Sequence, residues 1–220
     1  MPNIQRYLSH FNSASITSYS WLHQTLSAYL VFSLSLLLCG LAHADNTTNK
    51  PNISIEKLQH LQQNNHLTLN SDIRFQLSEQ IISAIHHEIP ISFKTEIILS
   101  EKKQILGIKF ERTRSVTEYH TQIYTHGVNQ YYVLYNTRNL KRQRFPSLDN
   151  ALQTLGTLKT FPVIELSELH PEQNYSLKMR ISIDPWLLPA PLILESIFDK
   201  NWQLSSGWFE IKMQTPKSWM

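Results

Sequence analysis

The sequence is poor in cysteine and glycine. It has one cysteine, Cys39, and five glycines in 220 residues. Gly40, Gly107, Gly127, Gly156 and Gly207 are scattered and never form G-x-G, so a glycine-rich phosphate loop has no raw material. Acidic residues are missing from the first 44 positions, where Arg6 is the only lysine or arginine. The remaining charges nearly cancel, and the net +3 is too mild to imply nucleic acid. No G-x-S-x-G marks an acyl-transfer nucleophile.

The one long apolar stretch is "LSAYLVFSLSLLLCGLAHADN", Leu26 to Asn46. Its densest run, Ala28 to Ala42, would make a helix about 22 Å long. A bilayer core is about 30 Å thick, so the run spans poorly, whereas an export signal needs only such a length. Ala42-His43-Ala44 is a small-x-small cleavage site with Asp45 as the new N-terminus. This predicts a signal peptide over 1–44, a linker over 45–52, a domain over 53–214 and a tail over 215–220. The exported part would be periplasmic and free of thiols, hence without disulfides, cysteine nucleophiles or cysteine metal sites. The alternative retains residues 26–44 as an inner-membrane anchor. Lipidation at Cys39 is disfavoured, because Leu38 stands where a small residue is needed. The segment before Leu22 is long for a leader, and a translation start nearer Leu22 would give it ordinary length.

From Asn52 onward the hydrophobic period is mainly two. Tyr175, Leu177, Met179, Ile181 and Ile183 alternate with Ser176, Lys178, Arg180, Ser182 and Asp184. Ile89–Leu99 reads similarly, and "SEKKQ" is expected to turn the chain back through Leu106, Ile108 and Phe110. Further strands are expected at His66–Gln76, Tyr119–Tyr124, Tyr131–Tyr135, Leu140–Phe145, Phe161–Leu166, Leu192–Ile197 and Gly207–Met213. Ile53–Gln62 is ambiguous, since Ile55, Leu58 and Leu61 have helical spacing. Two short helices are expected. Ser78 caps "EQIISAIHHE", and Ser147 caps "LDNALQTLG", with Gly156 closing the end. Pro185, Pro189 and Pro191 point to an extended edge or crossover. The fold class is therefore mainly β, a two-layer antiparallel sandwich of immunoglobulin-like character, with α+β as the alternative.

The order of "LTLNSDIRFQLSEQIISAIHHEIPISFKTEIIL", Arg112 and Arg114, "YYVLYN", "FPSLDNALQTLG", "YSLKMRISIDPWLLPAPL" and "NWQLSSGWFEI" resembles a proteobacterial family, domain of unknown function 4390. The resemblance covers about residues 53–214. Its most specific pieces are Leu188-Pro189-Ala190-Pro191-Leu192 after Asp184, and Trp202-x-Leu204-Ser205-Ser206-x-Trp208. Glu88-Ile89-Pro90 departs from the glycine-valine turn of the relatives. The resemblance implies an exported bacterial protein and supplies no activity or catalytic residue. Genes of the family often neighbour a sensor histidine kinase gene, which suggests a sensor ectodomain as partner.

Few residues suggest chemistry. "HHE", His86 to Glu88, lacks the second histidine of a zinc protease helix, since Ile91 stands in its place. Glu118, His120, Tyr124 and His126 share a strand face, but His120 and His126 lie about 20 Å apart. Arg112 and Arg114 invite pairing with Asp184 or Glu195. Glu165, Glu168 and Glu172 lie near a proline turn with no sign of a pocket. Arg138, Lys141, Arg142 and Arg144, among Tyr131, Tyr132, Tyr135 and Phe145, form a candidate surface for an anionic lipid, an envelope polymer or an acidic partner. A solvated sheet edge is the plainer reading. Trp186, Pro189, Pro191, Trp202 and Trp208 form a candidate aromatic and proline surface, with core packing as its plainer reading. No cofactor, metal or nucleic acid is expected. The expected function is a non-enzymatic binding module of the cell envelope. The alternatives are an envelope hydrolase with an unrecognised site and a membrane-tethered structural protein.

Overall fold

The alternating pattern of Tyr175–Ile183 builds an interior strand, one in from the edge, of a large antiparallel sheet. The computed structural model describes residues 50–127 and 131–215. The described strands are β1 (Asn52–Gln63), β2 (His66–Gln76), β3 (Ile91–Ile105), β4 (Ile108–His126), β5 (Tyr131–Asn136), β6 (Lys141–Phe145), β7 (Thr157–Glu165), β8 (Asn174–Ile183) and β9 (Phe209–Gln214). The helices are α1 (Glu79–His86), α2 (Leu148–Gly156) and α3 (Ala190–Phe198). Six strands form one sheet in the order β6-β5-β4-β3-β8-β9, and three form another in the order β1-β2-β7. Every pairing is antiparallel. The fold is mainly β and sandwich-like, as the period predicts.

The two sheets share one core. Phe93, Ile97 and Leu99 of β3, and Tyr175, Leu177 and Met179 of β8, meet Leu67 and Leu69 of β2. Phe75 and Phe93 touch edge to face, with ring centroids 5.4 Å apart. Ile81 and Ile85 of α1 and Ala151 and Leu155 of α2 close the core. Both expected serine caps are present. Ser78 Oγ accepts from the Ile81 amide at 3.3 Å, and Ser147 Oγ from the Asn150 amide at 3.2 Å.

Four local expectations change. The ambiguous Ile53–Gln62 is β1, and a bulge between Ile55 and Lys57 shifts its phase. The extra residue turns Leu58 inward after Ile53 and Ile55, which mimics helical spacing. "SEKKQ" is no turn: β3 runs on to Ile105, and Leu106 (φ +51°) with Gly107 (φ +84°) reverses the chain. That is a two-residue hairpin with both central residues left-handed. Leu192–Ile197 lies in a third helix rather than a strand. Pro189 and Pro191 exclude a central strand, yet proline is pre-set for a first helical turn. Gly156 makes no left-handed cap. A Cβ there would overlap the Ile73 carbonyl oxygen and approach Phe75 Cε2 to 3.1 Å. Its missing side chain lets α2 abut β2.

Candidate functional site

The proline-tryptophan segment forms the most apolar exposed surface at the Ile91 end of β3. The Asp184 amide donates to Ser92 O at 2.9 Å, which fixes the chain at that end. Asp184 Oδ1 accepts from the Trp186 amide at 3.1 Å and starts a single 3-10 turn, Pro185–Leu187. α3 follows, and only Ser196 of its nine residues is fully buried. Leu192 and Ile193 pack partly on the core. Trp186 is 72% exposed and Phe198 86%, with Leu187, Leu194 and Ile197 also exposed. Pro189 and Pro191 are exposed beside them. Trp202 departs from this group: it is 2% exposed in the core, and its Nε1 donates to Glu195 Oε1 at 3.3 Å. Trp208 lies under the Arg180 guanidinium, 4.5 Å from its ring centroid. Of the five sequence candidates, Trp186, Pro189 and Pro191 thus belong to one segment with α3. Leu194 and Ile197 were missed because the strand expected at Leu192–Ile197 turns alternate side chains inward; Leu187 and Phe198, outside that strand, carry no local signal of their own.

The basic tract lies at the opposite sheet edge from β9. Lys141, Arg142 and Arg144 belong to the edge strand β6, and Arg138 to the turn before it. Arg142 and Arg144 share the face opposite Phe145, which packs against the core. Arg138 lies 4.1 Å from the Phe161 ring centroid and Arg142 4.9 Å from that of Tyr135. Each such contact is worth about 0.5–1 kcal/mol at an exposed site. None of the four cations makes an ion pair among the described residues. Cations on a short edge also oppose strand addition.

The expected arginine pairings do not form. Arg114 donates to the Glu168 carbonyl at 2.6 Å, and Arg112 is exposed. Asp184 instead meets His120 Nε2 at 3.0 Å. His86 Nε2 meets the Tyr132 hydroxyl at 2.8 Å. No group of three metal-ligating side chains occurs among the described residues.

The outer face of the large sheet is laced with charge. Lys94 pairs with Glu118 at 3.1 Å, and Arg180 with Glu96 through both Nε and Nη2. Nearer the hairpin, Lys102 joins Glu111 and Glu210, and Lys178 joins Glu111. The Lys178 ammonium holds the Glu111 carboxyl below its ordinary range. Lys102 and the Ser176 hydroxyl do the same for Glu210.

At the hairpin end of β3 an open cleft of about 1300 Å³ is lined by Glu101, Lys109, Phe110, His170, Tyr175 and Lys212, among others. Glu101 is 1% exposed. Its Oε1 meets His170 Nδ1 at 3.2 Å and Lys103 Nζ at 3.4 Å, while Oε2 has no hydrogen-bond partner among the described residues. The His170 amide donates to the Tyr175 hydroxyl at 2.9 Å. Burial raises the Tyr175 hydroxyl above its ordinary pKa. Glu101 was missed because "SEKKQ" read as a turn. Continuing the period through Ile97, Leu99 and Glu101 would have put it on the inner face.

No curated protein and no solved structure matches the chain. The model of one family, described as Domain of unknown function (DUF4390), matches residues 50–212. That span takes in the α3 surface and nearly all of both sheets and of the hairpin cleft, and the chain belongs to this family.

Proposed function

We propose that this chain is an exported binding module of the bacterial cell envelope, which docks a protein partner through the Trp186–Phe198 surface. One observation carries the reading. The nine-residue helix α3 and the 3-10 turn before it leave five large apolar side chains exposed: Leu194, Ile197 and Phe198 of the helix, and Trp186 and Leu187 of the turn. Exposed aromatic and aliphatic anchors of this kind are what protein interfaces bury. Exposed Glu195 and half-buried Asp199, against exposed Lys200, give the rim of the segment a mildly acidic character, which suits a partner with basic residues around an apolar groove. The partner proposed is the ectodomain of a membrane sensor. Export rests on the apolar leader and its Ala42-His43-Ala44 site.

The test combines place and binding. Mass spectrometry of the native chain should find Asp45 as its first residue in the periplasmic fraction. Photo-crosslinking from position 194 in cells should capture a partner band. Leu194→Glu with Phe198→Glu should weaken that partner's binding by about thirtyfold or more at unchanged thermal stability. Equal binding by both proteins would remove α3 from the reading.

The Glu101–His170 contact favours a second reading. A buried carboxylate orienting a histidine at the wall of a cleft is the arrangement of a general base. That site would activate water, since no serine, threonine or cysteine lines the cleft among the described residues. The reading stands only if a hydrolase substrate panel shows turnover that His170→Ala abolishes.

A further inference from the structure

We infer that the tip of the β3–β4 hairpin is a membrane-docking element, which inserts Ile105, Leu106 and Ile108 into the interface of a bilayer bearing anionic lipid. The inference does not depend on a protein partner at α3.

The topology isolates the tip. β8 pairs with β3 only as far as Lys102, and β5 pairs with β4 only from Thr121 onward. Beyond Lys102, β3 is paired with β4 alone, so the last residues of the hairpin form a two-stranded ribbon. Its end is apolar: Leu106 is 98% exposed and Ile108 71%, with Ile105 and Phe110 also exposed. Leu106 also holds a left-handed backbone at φ +51°. Asparagine or glycine takes that conformation at less cost, and it is their usual place in such a turn. A leucine there strains the backbone and gives the fold almost no packing in return. Strain kept at an exposed apolar residue points to a contact outside the chain.

Charge selects the contact. Residues 101–112 hold Lys102, Lys103, Lys109 and Arg112 against Glu101 and Glu111. Glu101 is buried, and Glu111 is paired with Lys102 and Lys178. Lys109, Arg112 and, across the cleft, Lys212 make no ion pair among the described residues. The other carboxylates nearby are Glu210, paired with Lys102, and Glu172. An aliphatic tip backed by cations matches an anionic bilayer. Apolar side chains enter the acyl boundary, and lysine stems lie along it with their ammonium groups among the headgroups. A stable protein interface needs about 800 Å² on each side, which a turn two residues wide does not offer. A bilayer demands no matching shape. The α3 surface, at the other end of β3, has a mildly acidic rim, so the lipid match belongs to the hairpin.

The experiment reads the tip locally, whatever the N-terminal apolar run does. Full-length protein carrying Cys39→Ser takes an environment-sensitive fluorophore on Gln104→Cys, or on Val116→Cys as the comparison site. Each is mixed with vesicles of phosphatidylcholine, with or without phosphatidylglycerol, containing brominated lipid. The label at 104 should shift to the blue and be quenched with phosphatidylglycerol present, and the label at 116 should not. Lys109→Glu with Arg112→Glu should weaken the quenching about tenfold or more. Leu106→Glu with Ile108→Glu should abolish it. Three results would overturn the assignment: no quenching at 104, equal quenching without phosphatidylglycerol, or quenching that survives Leu106→Glu with Ile108→Glu.

Discussion

Gly156 sits where the last residue of α2 meets the backbone of β2, and a single methyl group there has nowhere to go. Gly156→Ala should lower stability by about 1–3 kcal/mol, seen as an earlier denaturant midpoint at unchanged slope. The residue was visible in the sequence as a helix-ending glycine. Its actual role depends on Ile73, 83 positions away in the chain, and no local pattern carries that. Trp186 and Trp202 make the same point. Both follow a short polar or proline-bearing stretch, yet one is exposed and the other is core. Their difference arises because Trp202 folds under α3 to reach Glu195 and the α1 helix, a tertiary fact. Glu101 was hidden for another reason. A glutamate before two lysines resembles solvent-facing chain, and only the full length of β3 turns it inward.

Among the elements, those with chemically specific ends were the most legible. Ser78 and Ser147 announced α1 and α2 because a hydroxyl before a helical stripe has one common use. β8 announced itself by unbroken alternation. β1 and α3 did not, because a bulge and a proline start each disguise one period as the other. The charged cross-strand pairs of β3, β4, β8 and β9 give the sheet a predictable pH response. Lys178 and Lys102 hold the Glu111 and Glu210 carboxyls below the ordinary 4.5, so the native state binds these protons less tightly than the unfolded chain does. Their stabilisation is present above about 4.5 and fades as pH falls through the lowered native values. Hydrogen bonding to Glu210 raises the Lys102 ammonium above 10.5, and that contribution fades as pH rises through the raised value. Thermal melts should therefore decline on the acid side below about 4.5. Glu111→Gln with Glu210→Gln should shallow that decline; an unchanged acid limb would show that the network adds nothing. The effect is modest, because both carboxylates are partly solvated.

For the molecule as a whole, the two sheets draw on a single core, with Phe75 and Phe93 in contact across them. Far-ultraviolet circular dichroism and tryptophan fluorescence, to which buried Trp202 contributes, should report one coincident melting transition for the described domain. Separate midpoints would mean that the small sheet unfolds alone. The layered architecture was readable in advance, since period two with a few capped helices leaves few other solutions. The ends of the sandwich were not readable. Which turns project, and how far, depends on where neighbouring strands stop, and a strand's own sequence does not record its neighbour's length.

β3 runs unbroken from the α3 surface to the hairpin tip, and its fifteen residues measure about 46 Å. A strand buried on one side takes up length changes most readily in pairs, because losing a single residue exchanges its wet and dry faces unless a bulge absorbs it, as β4 does opposite Leu99 and Ser100. Without a new bulge, lengthening or shortening of the distance between the two ends of β3 comes in steps of about 7 Å, matched in β4 and β8. The span behaves as a graduated ruler, with the pleat of the backbone as its smallest division.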